Sequence, residues 1–177
     1  MELHSRARAI AIAATDEIDW HSVYVELLPR VFHYFAYRVG DAQVAEDLAA
    51  ATFERAWRKR ERYRKDLGKF QHWVFGIARK VAAEHFRRRE SRLEIEVDES
   101  FSDGKDVEQV YEKNADFAKL RHLLARFDDE DRELLSLKYG AGMANREIAK
   151  LTGLSESNVG TKLHRLMTKL RDQWEQK

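Results

Sequence analysis

NREIAKLTGLSESNVGTKLHRLMTKL, the stretch from Asn145 to Leu170, decides how this chain is read. Ile148, Ala149 and Leu151 give a short helix an apolar face, and Gly153 follows where a turn wants a residue free to take positive φ. Ser155 can accept from the unpaired N–H groups that begin a second helix. In that helix Val159, Leu163, Leu166 and Leu170 recur at helical spacing and predict one buried stripe. The opposite face carries Ser157, Asn158, Thr161, Lys162 and Arg165, side chains that reach base edges and phosphates. Turn, cap and polar face coincide. The spacing therefore predicts a DNA-binding helix-turn-helix rather than a plain two-helix hairpin with a solvated face.

Outward from that stretch, 44% hydrophobic and 36% charged residues in a chain of 177 give enough apolar content for one domain or two small ones. Cysteine is absent, which excludes disulfides and cysteine-ligated zinc. No apolar run approaches the roughly 20 residues that span a bilayer. RARAIAIAAT near the N-terminus is short for a signal peptide and leads into acidic TDEID, so a cytoplasmic protein with no membrane partner is expected. The net charge of +1 conceals blocks: −5 from Asp16 to Phe53, +9 from Glu54 to Arg92, −7 from Leu93 to Asp116 and +5 from Arg132 to Arg171. Two basic blocks around an acidic spacer point to two nucleic-acid contacts on one chain, a length of segregation that alternating surface pairs do not explain.

Proline occurs once and strand-like alternation is scarce, so the chain is expected to be all-α. Residues 1–18 show no core pattern and are expected to be a mobile extension. Trp20, Val23, Tyr24, Leu27, Val31 and Phe35 mark a first helix, which Pro29 should kink or divide and Gly40 should end. Asp41 caps a second, with Ala45, Leu48, Thr52, Phe53 and Ala56 on one face. Arg58 to Lys69 reads as a basic loop, and Phe70, Trp73, Val74, Ile77 and Val81 as a third helix running out through Arg89. From Leu93 the sequence reads as a linker, with one helical turn at most. Phe117, Leu120, Leu124 and Phe127 open a second helical domain, and Leu134, Leu135 and Leu137 form a helix closed by Gly140 and Gly142. The expected division is 1–18 extension, 19–92 first domain, 93–115 acidic linker and 116–177 second domain.

Between Tyr63 and Arg89 cations and aromatics interleave, the mixture that single-stranded DNA requires: cations follow phosphates and ring faces stack on exposed bases. Phe70, Trp73 and Ile77 lie at helical spacing and belong first to a core. Tyr63 and the loop residues lie outside that stripe. Enzyme readings find no footing: the seven histidines form no HExxH, no glycine-rich phosphate loop occurs, and no serine sits in a GxSxG elbow. Glu46 and Asp47 are adjacent and face different ways on a helix, so they are no acid–base pair. No metal or cofactor is expected.

Order and residues together resemble the extracytoplasmic-function class of sigma-70 family sigma factors over roughly Val23 to Arg171. VGDAQVAEDLAAATFERAW, Val39 to Trp57, is similar to the segment that grips core RNA polymerase, with Glu46, Asp47, Leu48, Thr52, Phe53, Arg55, Ala56 and Trp57 on the family pattern. FQHWVFGIARKVAAEHFRRR, Phe70 to Arg89, looks like the helix that recognises and opens the −10 element. The resemblance and the basic loop together make Arg62, Tyr63, Lys65, Lys69, Arg79, Lys80, Arg87 and Arg88 the expected −10 contacts. Ser155, Ser157, Asn158, Thr161, Lys162 and Arg165 are the expected −35 contacts. The chain departs from the pattern at Lys80, where many relatives carry Asn and where a lysine more naturally meets phosphate. It departs again at Ala144, where a Ser or Thr cap is usual, so half a capping box is missing, and either Asn145 caps instead or that helix frays slightly. The resemblance implies core polymerase and promoter DNA as partners and an anti-sigma protein as a further one, and the chain is expected to lack the long C-terminal extension through which some relatives regulate themselves. The acidic linker is an alternative brake that would shield both basic blocks. The competing reading is a helix-turn-helix regulator with a helical effector or dimerisation domain, which has no need of the aromatic-basic segment.

Overall fold

Asp19 starts the first helix by accepting at Oδ1 from the N–H groups of His21 and Ser22, at 3.1 and 3.3 Å. In the computed structural model, which describes residues 19–96 and 115–175, α1 spans Trp20–Val39. Gly40 ends it with φ of 71°, its N–H reaching the Ala36 carbonyl at 3.0 Å. Pro29 does not divide the helix. The ring lies on the exposed face, and the carbonyl it leaves unpaired is that of Val25, 58% exposed, where water can replace the lost bond. Asp41 caps α2, Ala42–Arg58, through a 2.9 Å bond from the Val44 N–H. Ala45, Ala49 and Ala56 are buried on α2, where their small side chains allow the neighbouring helices to approach. The expected loop contains two short 3-10 turns, Arg60–Arg62 and Lys65–Leu67. Helix α3 spans Phe70–Glu96, continuing past Arg89 into the stretch read as linker. Val74, Phe75, Ala78, Val81 and Ala82 are buried along it, and with Leu27, Val31, Phe35 and Phe53 they form the core of the first domain.

In the second domain α4 spans Ala115–Leu124 and α5 spans Asp129–Leu135, capped by Asp128 accepting from the Asp131 N–H at 2.8 Å. A π-helical turn, Ser136–Gly140, follows α5, with the Ala141 N–H reaching back to the Ser136 carbonyl at 2.9 Å. Helix α6, Asn145–Thr152, ends at Gly153 with φ of 78°, and α7 spans Glu156–Glu175. Asn145 is not the cap. It is the first residue of α6, and its Oδ1 accepts from Lys138 Nζ at 2.9 Å. Glu147 supplies the surviving half of a capping box, accepting from the Ala144 N–H at 3.0 Å, and the Ala144 methyl cannot return the bond. No strand occurs among the described residues. The extension 1–18 and most of the linker, residues 97–114, lie outside them.

The two domains are packed together, and one buried apolar cluster runs from α1 and α3 into α5, the π turn, α6 and α7. Helix α1 carries the π turn against its middle. A Cβ on Gly140 would stand 2.7 Å from the His33 carbonyl oxygen and 3.0 Å from the Tyr34 Cα, so only hydrogen fits there. A polar seam borders this contact. Arg38 Nη1 donates to Asp129 Oδ1 at 2.6 Å and Nη2 to Oδ2 at 3.0 Å. Arg79 Nε donates to Glu133 Oε1 at 2.8 Å and Nη2 to Oε2 at 3.2 Å, while Nη1 donates to the Leu151 carbonyl. Arg30 Nε reaches the Ala141 carbonyl at 2.8 Å. Gln71 and His72 meet Glu147 Oε1 at 2.8 and 3.1 Å.

Candidate nucleic-acid and polymerase surfaces

The face of α7 opposite its buried stripe is open. Val159, Leu163 and Leu166 are buried, and Ser155, Ser157, Asn158, Thr161 and Arg165 are exposed. Ser155 Oγ accepts from the Asn158 N–H at 3.2 Å, so this serine is a cap as well as a candidate contact. Thr161 Oγ1 turns to the Ser157 carbonyl at 3.0 Å. Lys162 is partly covered and lies 3.8 Å from Glu130. The helix thus presents hydroxyl, amide and guanidinium groups in one row on a rigid element, with its N-terminal turn leading.

The basic loop and the start of α3 are built around a chain of rings. Trp20 stands edge-on to both Trp57 and Phe70 with centroids 5.2 Å apart in each case. Tyr63 packs on Phe70 at 4.9 Å and on Trp73 at 5.7 Å. Tyr63 is therefore half-buried and not outside the apolar stripe, and its hydroxyl donates to the Gly68 carbonyl at 2.9 Å, closing the loop on itself. Arg62 and Lys69 of that loop are exposed, as are Lys80, Arg87 and Arg88 along α3. Lys65 lies in the second 3-10 turn. Arg79 is set apart from these. Its hydrogen bonds to Glu133 hold its guanidinium charged against the cost of its partial burial, and all three of its nitrogens are engaged by the second domain.

On α2, Glu46 and Asp47 are exposed and form an acidic corner. Trp57 is 50% exposed, with the Arg60 guanidinium 4.4 Å above its ring. The other candidates are turned inward. Thr52 is fully buried, donating from Oγ1 to the Leu48 carbonyl at 2.8 Å. Phe53 is buried against Tyr24 at 4.8 Å, and Leu48 packs on the core edge. Arg55 makes a two-pronged pair with Glu84 of α3 at 2.8 and 2.7 Å. These four set the shape of α2, and its outward chemistry comes from Glu46, Asp47 and Trp57.

Three residues that organise the site were not singled out in the sequence, Arg38, Asp129 and Glu133, and Gly140 was read there only as a helix stop. One signal was present. Arg38 follows Val31 and Phe35 on the same helical stripe, and a charge on an apolar stripe demands a buried partner. Arg38 is 3% exposed, and its hydrogen bonds to Asp129 hold that carboxyl below the usual range. Beside it the Tyr34 hydroxyl is buried, and burial together with the nearby Glu133 charge pushes its ionisation well above the ordinary tyrosine value.

Residues 23–92 match the family described as Sigma-70 region 2, and residues 117–170 match Sigma-70, region 4. The ECF RNA polymerase sigma factor BldN of Streptomyces coelicolor is 30% identical over 175 residues, covering 96% of this chain, which spans 64% of that relative's length. SigL of Mycobacterium tuberculosis is 25% identical over 166 residues, covering 93% of this chain and 94% of its own. Among solved structures, RpoE of Bartonella quintana, in complex with the anti-sigma factor NepR, superposes with a TM-score of 0.73 at 18% identity, covering 89% of this chain and 98% of that one. CnrH, in complex with the cytosolic domain of CnrY, gives 0.61 at 21% identity over 94% of each chain. The all-α architecture, with a region 2 and a region 4 in that order, is the architecture of these proteins. The chain belongs to the sigma-70 family, in the group of ECF RNA polymerase sigma factors.

Proposed function

We infer that this chain joins core RNA polymerase as an alternative sigma factor and directs initiation at promoters carrying its own −35 and −10 elements. The observation that carries the reading is the presence of both sigma-70 regions, in order, on one chain. The regulator reading leaves the region 2 match without a purpose. In the proposed division of labour, residues 19–92 dock on polymerase and open the −10 element, and residues 116–177 read the −35 element through α7. Glu46, Asp47 and Trp57 are proposed to meet polymerase, since they form the exposed part of the pattern on α2. An acidic corner suits a basic partner surface and speeds encounter with it. Arg62, Lys69, Lys80, Arg87 and Arg88 are proposed to follow the backbone of the −10 strand, with the Tyr63 cluster offering ring faces to unstacked bases. Stacking worth about 1–3 kcal/mol per base lets a few contacts offset the opening of a short A·T-rich stretch. The family consists of initiation factors without enzymatic chemistry, and binding energy replaces nucleotide hydrolysis in this scheme. An anti-sigma protein is a proposed further partner. The cytoplasm is the proposed site of action, and no helix among the described residues is long and apolar enough to cross a membrane.

In-vitro transcription with core polymerase and a promoter library tests this reading. Selective transcripts sharing two upstream elements are expected, and a transcript population unchanged by adding the chain would sink it. Asp47→Ala should weaken capture of core polymerase without loss of helicity. Arg55 is unsuitable for that purpose, because its removal would strand Glu84. Tyr63→Ala should reduce permanganate reactivity of unpaired thymines on a cognate promoter while leaving polymerase capture intact.

A further inference from the structure

Where the end of α1 meets α4 and α5, three arginines crowd one small cavity. It has a volume of about 30 Å³, is partly open to solvent, and is walled by Arg38 and Gly40 on one side and by Arg121, Leu124 and Arg132 on the other. The Asp129 carboxylate compensates Arg38. Arg132 has only carbonyls: its nitrogens donate to those of Leu124, Ala125, Phe127 and Arg38 at 3.2, 3.3, 2.8 and 3.4 Å. A carbonyl carries partial charge, so the hydrogen bonds of Arg132 are met and its full charge is not. Burial, with the nearby charges of Arg38 and Arg89 adding to it against Asp129 and Asp128, brings Arg132 below the ordinary arginine value. Arg121 is half-buried and has no ion pair or hydrogen bond among the described residues. The Nε of Arg38 is buried without a partner, although buried donors are as a rule paired. Three cations therefore stand against the one carboxylate of Asp129, a local surplus of +2. Partly buried like charges cost free energy unless something offsets them.

We propose that this cavity is a binding site for a phosphate group, carried by inorganic phosphate or by a phosphate monoester, seated between Arg38, Arg121 and Arg132. A phosphate monoester brings a charge of about −1.5 to −2 at neutral pH, which matches the surplus. Chloride brings a single charge and no oxygens to fit the N–H pairs along a guanidinium edge. Of the five N–H groups of a guanidinium, Arg132 keeps one free and Arg121 keeps its edge whole. The cavity is larger than the roughly 10–15 Å³ that one water needs, so the charged oxygens fit inside and the rest of a monoester stays in the mouth. A phosphate held there ties the end of α1 to α4 and α5. Arg38, Arg121 and Arg132 are none of the candidate polymerase or DNA contacts, so the site stands whether or not the initiation role does.

Thermal unfolding of the full chain by circular dichroism, with isothermal titration calorimetry, tests the site. The probes are inorganic phosphate and adenosine monophosphate, each set against sodium chloride at matched ionic strength. Phosphate should raise the unfolding midpoint by about 3–6 °C at ten times its dissociation constant, and chloride should not. A response to inorganic phosphate alone assigns the free ion, and an equal or stronger one to the monophosphate assigns the phosphate of a larger molecule. Arg121→Ala should abolish both the shift and the heat of binding, and Arg121→Gln, which keeps the length, replaces it should helical circular dichroism be lost. Arg87→Ala, on the proposed DNA face, should keep them. Arg121→Glu supplies the missing negative charge and should raise the midpoint in chloride alone while removing the response to phosphate. Equal shifts in phosphate and chloride reduce the effect to screening and overturn the site. A shift that survives the loss of Arg121, or an Arg121→Glu midpoint no higher than the parent's, overturns it as well.

Discussion

The polar face of α7 and the basic face of α3 carry similar chemistry in different surroundings. On α7 the candidate contacts stand on one exposed row, with Lys162 drawn toward an acid, Glu130, at 3.8 Å. On α3 the row is interrupted, because Arg79 is held by Glu133 and Leu151 of the other domain. Both helices bury an apolar stripe. They differ in what the stripe meets: α7 packs within its own domain, whereas α3 lies under part of α6 and brings Gln71, His72 and Arg79 to the seam. A surface that looks basic in sequence is a DNA surface only where tertiary packing leaves its cations free.

The largest effect is expected where the domains share a core. Leu137, fully buried in the π turn, belongs to the apolar cluster that spans both domains. Leu137→Ala should cost about 2–5 kcal/mol, the range for emptying a core site. Urea unfolding followed by far-UV and near-UV circular dichroism should show one coincident transition in parent and variant. Two separated transitions in the parent would break the comparison, since α3 would then be as independent as α7. Arg165→Ala should come next, weakening duplex −35 binding by about 1–3 kcal/mol in the free chain as in the holoenzyme, because its face is already open. Arg79→Ala should leave oligonucleotide binding by the free parent nearly unchanged, and fluorescence anisotropy of both variants side by side measures the contrast. Equal losses would show the two faces to be equally accessible.

The smallest effect concerns pH. Arg38 holds the Asp129 carboxyl below its ordinary range, so this pair favours closure at neutral pH. The contribution is lost as pH falls through the lowered value, when the carboxylate takes up its proton. Asp129 is 65% exposed on its side chain, so solvent screens the pair and the effect is modest. Acid titration of the distance between dyes on cysteines placed at the exposed positions Lys59 and Asp172, one in each domain, should show a small opening in the parent that Asp129→Asn abolishes. An identical titration in both would move the acid response to another group.

The sequence by itself determined the helices, the turn at Gly153, the caps at Asp41 and Ser155, and the stripe on α7. Each is governed by contacts within a few residues, and a period of 3.6 reads them directly. It also carried the order of two regions and their charge blocks. It did not tell which neighbour each buried stripe would meet, because periodicity reports that a face is covered and not by what. Tyr63 is drawn into the ring cluster by Phe70 and Trp73. Asn145 is taken by Lys138 and so does not cap. Thr52 and Phe53 match a recognition pattern yet lie buried. The seam was legible only as the oddity of an arginine, Arg38, on an apolar stripe. Its partner Asp129 lies 91 residues away, and Glu133 lies 54 residues from Arg79. Gly140 read as a helix stop, and only the backbone of α1 against it shows why a side chain is excluded. Local chemistry is written in the order of residues, whereas contacts across such separations exist only once the chain has closed on itself.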